Sequence, residues 1–205
     1  MRRKKCKLQL KNQYFLVRHG HSLRNVKKIA SCWPEQKVLP LTEKGRKEVE
    51  EAAEKLKKKK IDLIFYSDLL RTKQTAEIIG QFLGIKPKPD KRLREINVGI
   101  FNGQPIDQIG RFYDQERKLP PPAYYQRRYE IAPPAGETYQ QAEKRLLAFI
   151  QSMEKKYKNK KILIVSHQRP LTLLEKAIYV YDVNKLAQII TQKKEIKTGE
   201  IRRLC

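Results

Sequence analysis

The chain holds three histidines, His19, His21 and His167, and each comes just after an apolar run that reads as a buried strand. Arg18 and His19 follow Tyr14-Phe15-Leu16-Val17, and His167 follows Ile162-Leu163-Ile164-Val165-Ser166. In an open α/β sheet, ligands bind beyond the carboxyl ends of the strands. A guanidinium there can hold an anion while a neighbouring imidazole attacks its electrophilic centre. Gly20 allows a tight turn or a close approach of backbone to ligand. Arg71 lies roughly one helical turn beyond a third apolar run, Ile61-Asp62-Leu63-Ile64-Phe65-Tyr66. Two arginines with one or two histidines on one rim make an oxyanion cradle suited to a phosphoryl group. Releasing an alkoxide from such a cradle also takes a proton donor. Glu95 is the candidate, because Gly99 and Gly103 behind it suggest a tight, ligand-facing loop. The residues alone equally allow a surface carboxylate paired with Arg92 or Arg94.

Positioning these groups takes strands that alternate with helices. A helix is predicted from Ser22 to about Ala30, with Ser22 as its cap. Thr42 caps a second helix whose Val49, Ala52, Ala53 and Leu56 recur at helical spacing. The strand ending at Tyr66 leads into a third helix carrying Leu69, Ala76, Ile79 and Leu83, closed by Gly84. Pro87 and Pro89 suggest a short strand near an edge. Pro105 opens a helix with Ile106, Ile109 and Tyr113. Residues 119–134 contain Pro120, Pro121, Pro122, Pro133, Pro134, Arg127, Arg128 and three tyrosines, with no periodicity. They read as a long loop, either a functional lid or a surface excursion. Thr138 and Gln141 form a capping box before the clearest apolar stripe, Tyr139, Ala142, Leu146, Phe149, Met153 and Tyr157. Pro170 suits the first turn of the helix after His167, and the tail from Gly199 alternates weakly, as an edge strand would. The pattern is α/β, a three-layer α/β/α sandwich with a mostly parallel central sheet. Residues 1–205 read as one domain, with 104–137 a helical or loop insertion covering the site.

Length and composition bound the function classes. At 205 residues, 40% hydrophobic and 33% charged, the chain suits one soluble globular domain. Its apolar runs are too short to span a membrane. The basic start Met1-Arg2-Arg3-Lys4-Lys5 is not followed by an apolar stretch of signal-peptide type. Cys6, Cys32 and Cys205 are odd in number and widely spaced, which argues against a disulfide framework or structural zinc and for a cytoplasmic setting. The net charge of +24 invites a nucleic-acid reading. The lysine runs at 57–60 and 155–161, however, end helical patterns and precede strands, where they complement the helix dipole and stay solvated. That distribution speaks against nucleic acid as the partner.

Arg18-His19-Gly20-His21-Ser22 with Asn25 resembles the signature of the histidine phosphatase superfamily, the phosphoglycerate-mutase-like clan. Ser67-Asp68-Leu69-Leu70-Arg71-Thr72 resembles its second block, Leu39-Pro40-Leu41-Thr42 with Gly45 the block opening its first long helix, Leu93-Arg94-Glu95 with Gly99 and Gly103 its acid block. Gly136-Glu137-Thr138 and Ser166-His167 complete the set, in family order across roughly residues 13 to 172. The resemblance implies catalysis by His19, Glu95 and His167, with Arg18, Asn25, Arg71 and His167 binding the phosphate. It implies a phosphohistidine intermediate, no metal and no cofactor, and a small phosphorylated metabolite as partner. His19 should then donate one ring nitrogen to a backbone carbonyl and keep the other unprotonated.

The family's mutases carry Glu-Arg-His-Tyr-Gly at the acid block, whereas Glu95 is followed by Ile96-Asn97-Val98-Gly99, which resembles the phosphatase branch. His21 stands where Glu or Gln is common, and the acidic residue often found before Pro40-Leu41-Thr42 is absent. The expectation is a metal-independent phosphomonoester hydrolase. The alternatives are a cofactor-dependent phosphoglycerate mutase and a non-catalytic phosphate- or RNA-binding protein on the same fold. Substrate identity and oligomeric state stay open.

Overall fold

The computed structural model describes residues 9–114 and 118–204, so the basic start, Cys6 and Cys205 lie outside the described residues. Strands β1 (Gln13–Arg18), β2 (Leu63–Tyr66), β3 (Lys88–Pro89), β4 (Lys161–Ser166) and β5 (Ile201–Leu204) form one sheet in the order β3-β2-β4-β1-β5. All neighbours run parallel except β5, which pairs antiparallel with β1 at the edge. Eight α-helices are present among the described residues: α1 (Leu23–Lys27), α2 (Glu43–Lys57), α3 (Leu70–Leu83), α4 (Asp107–Tyr113), α5 (Pro121–Glu130), α6 (Tyr139–Lys156), α7 (Gln168–Tyr179) and α8 (Val183–Thr191).

Successive strand residues point to opposite faces, and that period of two divides the core. Tyr14, Leu16, Ile162 and Ile164 pack under α6 and α7, with Leu146, Phe149 and Leu174. Phe15, Val17, Leu163 and Val165 pack under α2 and α3, with Val49, Ala53 and Ile79. Strands covered on both faces read as continuous apolar runs, as a parallel sheet requires. The result is the expected three-layer α/β fold, with β3 and β5 on its edges. Lys58 is exposed just past α2, at the end of the sheet opposite His19.

Three elements differ from expectation. Helix α1 stops at Lys27, because Lys28 takes a left-handed conformation. Residues 121–130 are helical rather than loop. Pro121 and Pro122 occupy the first turn of α5, where no intrahelical N–H is needed. Its inward face carries Tyr124, Tyr125, Arg128 and Tyr129, so no apolar stripe announces it. Helix α8 follows Asp182, whose carboxylate caps Lys185 N at 2.7 Å, and buries Leu186 and Ala187.

Candidate active site

Strand register sets the centre of the site. Arg18 is opposite Ser166 in the parallel β1–β4 pair, so the next residue of each strand, His19 and His167, emerges side by side. Their ring centroids are 5.3 Å apart at an interplanar angle of 61°. Strand β2 lies on the other side of β4, and Ser67 N donates to Val165 O at 3.0 Å. Ser67 Oγ thereby reaches His167 Nε2 at 2.8 Å.

His19 Nδ1 lies 2.8 Å from Gly20 O. A carbonyl can only accept, so Nδ1 carries the proton and Nε2 keeps its lone pair when the ring is neutral. Neutrality is strongly favoured: burial, then the Arg71 and Arg18 charges, hold the imidazole well below its ordinary pKa. The same happens to His167, through burial, Arg71 and His19. The turn after His19 depends on a close approach. A Cβ on Gly20 would overlap Gly45 O, and one on Gly45 would overlap His21 O, so α2 packs directly against this loop.

Arg71 is fully buried on the first turn of α3. Its Nη1 donates to Ser31 Oγ at 3.1 Å and pairs with Glu35 Oε1 at 3.2 Å, while Nη2 donates to Ser31 O at 3.0 Å. Burial brings its pKa down to about 10, against the opposing Glu95 carboxylate. Arg18 is likewise brought down to about 10 by burial and by the Arg24 charge, and its Nη1 donates to Ile196 O. Both guanidiniums remain charged at neutral pH. Arg18 Nε, Arg71 Nε and His167 Nδ1 are all buried without a hydrogen-bond partner. Buried polar groups are normally satisfied. Three such orphans lie on residues that surround His19, an arrangement able to accept an anion.

Glu95 lines the same cavity as Arg18 and His19, a space of about 250 Å³, while Arg71 and His167 are buried next to His19 and do not line it. The surface-pair reading of Glu95 fails, because Arg92 pairs with Asp90 and Arg94 with Asp68. Glu95 Oε1 accepts from Ile96 N at 2.9 Å. Glu137 is engaged elsewhere: Arg145 binds both its oxygens, and Asn97 N donates to it at 2.9 Å. Arg145 also donates to Glu95 O, so Glu137 steadies the loop that carries Glu95. Asn25 is not brought into the cavity lining. Its carboxamide oxygen accepts from Ser22 N at 3.0 Å and Ser22 Oγ at 2.9 Å, which braces the turn behind His19. His21 also faces away, with Nδ1 3.0 Å from Thr42 Oγ1.

The order and spacing of these groups match a known family: residues 14–201 fit the histidine phosphatase superfamily, branch 1. The chain belongs to the histidine phosphatase superfamily. Among curated relatives of this chain is "Probable phosphoglycerate mutase GpmB" of Yersinia pestis, 35% identical over 162 residues, covering 79% of this chain and 72% of the relative. Among solved structures, Bacillus stearothermophilus YhfR is 28% identical with a TM-score of 0.71, covering 85% of this chain and 83% of its own. A mycobacterial glucosyl-3-phosphoglycerate phosphatase shares the fold at 21% identity and a TM-score of 0.74, covering 93% and 88%.

Sequence reasoning missed Arg24, Arg128 and Arg169, which also line the cavity. Arg24 lies inside the signature block and Arg169 two residues after His167, so proximity could have flagged both. Arg128 reaches the cavity only because α5 docks there, and no local signal reports it. Among the described residues, no group of three or more His, Cys, Asp or Glu side chains is arranged to hold a metal ion, and no helix is long and apolar enough to cross a membrane.

Proposed function

We propose that the protein hydrolyses small phosphate monoesters through a phosphohistidine on His19, with no metal required. One observation carries this reading: a buried imidazole whose Nδ1 is tied to Gly20 O, with the unpartnered nitrogens Arg18 Nε, Arg71 Nε and His167 Nδ1 on the residues around it. Nε2 attacks phosphorus in line, forming the N–P bond as the ester P–O bond breaks, and Glu95 gives its proton to the departing oxygen. The Glu95 carboxylate then takes a proton from water, whose oxygen attacks phosphorus. The N–P bond breaks, its electrons return to Nε2, and phosphate leaves. Arg18, Arg71 and His167 hold the equatorial oxygens, where charge grows in the transition state. The mechanism requires the His167 proton on Nδ1, facing a phosphoryl oxygen, with Ser67 Oγ, 2.8 Å from Nε2, as the donor to that nitrogen. Asn25 contributes through the turn it braces.

A mutase reading has the GpmB relative in its favour. It requires the phosphohistidine to outlive the departure of the first product. A panel of phosphate esters assayed with EDTA, using His19→Ala as control, tests the hydrolase directly. Stoichiometric phosphate release that survives chelation and vanishes in His19→Ala supports it. Phosphate moved between positions of one ester, with little release, supports the mutase.

A further inference from the structure

The end of the sheet opposite His19 carries a groove of about 310 Å³, lined by Lys58, Lys59, Lys161 and Arg203 over Gln13 and Phe15. Strand register builds it. Gln13 pairs with Lys161 on β4 and Phe15 with Arg203 on β5, and alternate residues of β1 share a face. These four side chains therefore project from the side of the sheet that α2 covers. Helix α2 runs only to Lys57, and Lys58 and Lys59 close the groove at its end. Phe15 is the buried floor, whereas Lys58, Lys59 and Arg203 are exposed. Backbone bonds tie the walls together, with Asp62 N donating to Lys161 O and Gln13 N to Lys160 O, both at 2.8 Å.

No carboxylate lines this groove among the described residues. The acids close to it in sequence are engaged elsewhere, Glu54 with Lys57 at 2.7 Å and Asp62 with Lys160 at 3.3 Å. The surface groove near Gly199 is different, because Lys193, Lys194 and Lys197 there are mixed with Glu48, Glu51 and Glu200. Helix ends account for each lysine run taken singly. They do not account for Arg203, which stands on a strand, or for four cations meeting without an acid.

We propose that this groove binds single-stranded nucleic acid through its phosphates, independently of the cavity beside His19. Read one run at a time, the lysines argue against such a partner; assembled into one groove, they argue for it. Lys161 and Arg203 flank β1, with backbones on the order of 10 Å apart, so the cations suit successive phosphates better than one. A flexible strand can enter a concavity, whereas a duplex or a bilayer surface meets only its rim. The apolar floor is buried, so the groove presents no wedge to insert into lipid. Phe82, 41% exposed, adds an aromatic face at this end, with Lys57 Nζ 5.2 Å from its ring centroid. Sites for single strands combine a cationic groove with aromatic faces of this kind, and phosphate contacts alone carry no sequence preference.

Fluorescence anisotropy of a labelled oligouridylate of about 20 nucleotides, titrated with the full chain at several salt concentrations, tests this. The wild type should bind it, and a variant combining Lys58→Gln, Lys59→Gln and Lys161→Gln should lose about tenfold or more in affinity. Three phosphate contacts go, so the slope of log affinity against log salt should become shallower by about 2. A second variant, combining Lys193→Gln, Lys194→Gln and Lys197→Gln, removes the same charge from the mixed groove and should stay within about twofold of the wild type. Thermal melts establish folding, and Lys161→Gln alone, with a slope change of about 0.7, carries the test if the first variant unfolds. Absence of binding at low salt, or equal losses in the two triple variants, would overturn the proposal. So would stronger, equally lysine-dependent binding to a duplex of the same length or to phosphatidylserine vesicles.

Discussion

The proposed mechanism needs His19 with a neutral ring, and burial together with two nearby arginines favours that form. In that mechanism the same arginines would also stabilise the charge that develops on the phosphoryl oxygens, so one arrangement would serve both attacker and transition state. Charge location should therefore matter more than charge itself. Arg71→Ala is expected to lose on the order of 3 kcal/mol of transition-state stabilisation, about 10²-fold in kcat, while Lys58→Ala, on an exposed face, loses little. Equal losses in steady-state kinetics would mean that bulk charge drives the activity. Glu95→Gln keeps size and polarity but delivers no proton. Its phosphorylation step should slow ~10²-fold on an alkyl phosphate and much less on p-nitrophenyl phosphate, whose phenolate departs unaided. Burst amplitudes and rates for the two substrates resolve this step from hydrolysis of the intermediate. An equal slowing would remove Glu95 as the acid. Glu137 is a poor replacement, being held by Arg145 and Asn97 N.

Elements explain why some of the site was legible in the chain and some was not. Parallel strands buried on both faces announce themselves as apolar runs, and the residues just past the carboxyl end of each run must face the ligand edge. Arg18, His19, Ser67, Arg71 and His167 were legible for that reason. The Gly20–Gly45 contact was not legible, since residues 25 apart in sequence carry no local sign of touching. It has a direct consequence: Gly45→Ala places a methyl against His21 O and must displace α2. The expected cost is about 1–3 kcal/mol in denaturant unfolding, with activity falling further than stability because His19 sits in the displaced loop. An unchanged midpoint and rate would show that the loop yields freely. Helix α5 was illegible because its inward residues are tyrosines and an arginine that serve a cavity, and prolines masked its start. Asn25 was assigned to the phosphate on resemblance; its oxygen braces Ser22, a contact that does not use its amide nitrogen.

At the scale of the whole molecule, exposed lysines such as Lys58 gather at one end of the sheet, whereas Arg18 and Arg71 are buried at the other. Only the buried set is coupled to folding through the histidines. His19 and His167 have lowered pKa values in the fold, so below the ordinary imidazole value of about 6.5 the unfolded chain binds protons that the folded chain refuses. Stability should be fully present above that pH and fall as pH drops below it. Melting temperatures at pH 7.5 and 5.5 should show the loss, and a His19→Asn, His167→Asn double variant should flatten it. A pH dependence unchanged in that variant would assign the effect to other groups. The central claim is a covalent phosphohistidine formed without metal. Rapid quenching of the enzyme with ³²P-labelled phosphate ester, in excess EDTA, should trap label that is stable in base, labile in acid and located on the peptide containing His19. Failure to label in EDTA, with labelling and activity restored by Mg²⁺ or Zn²⁺, would contradict it.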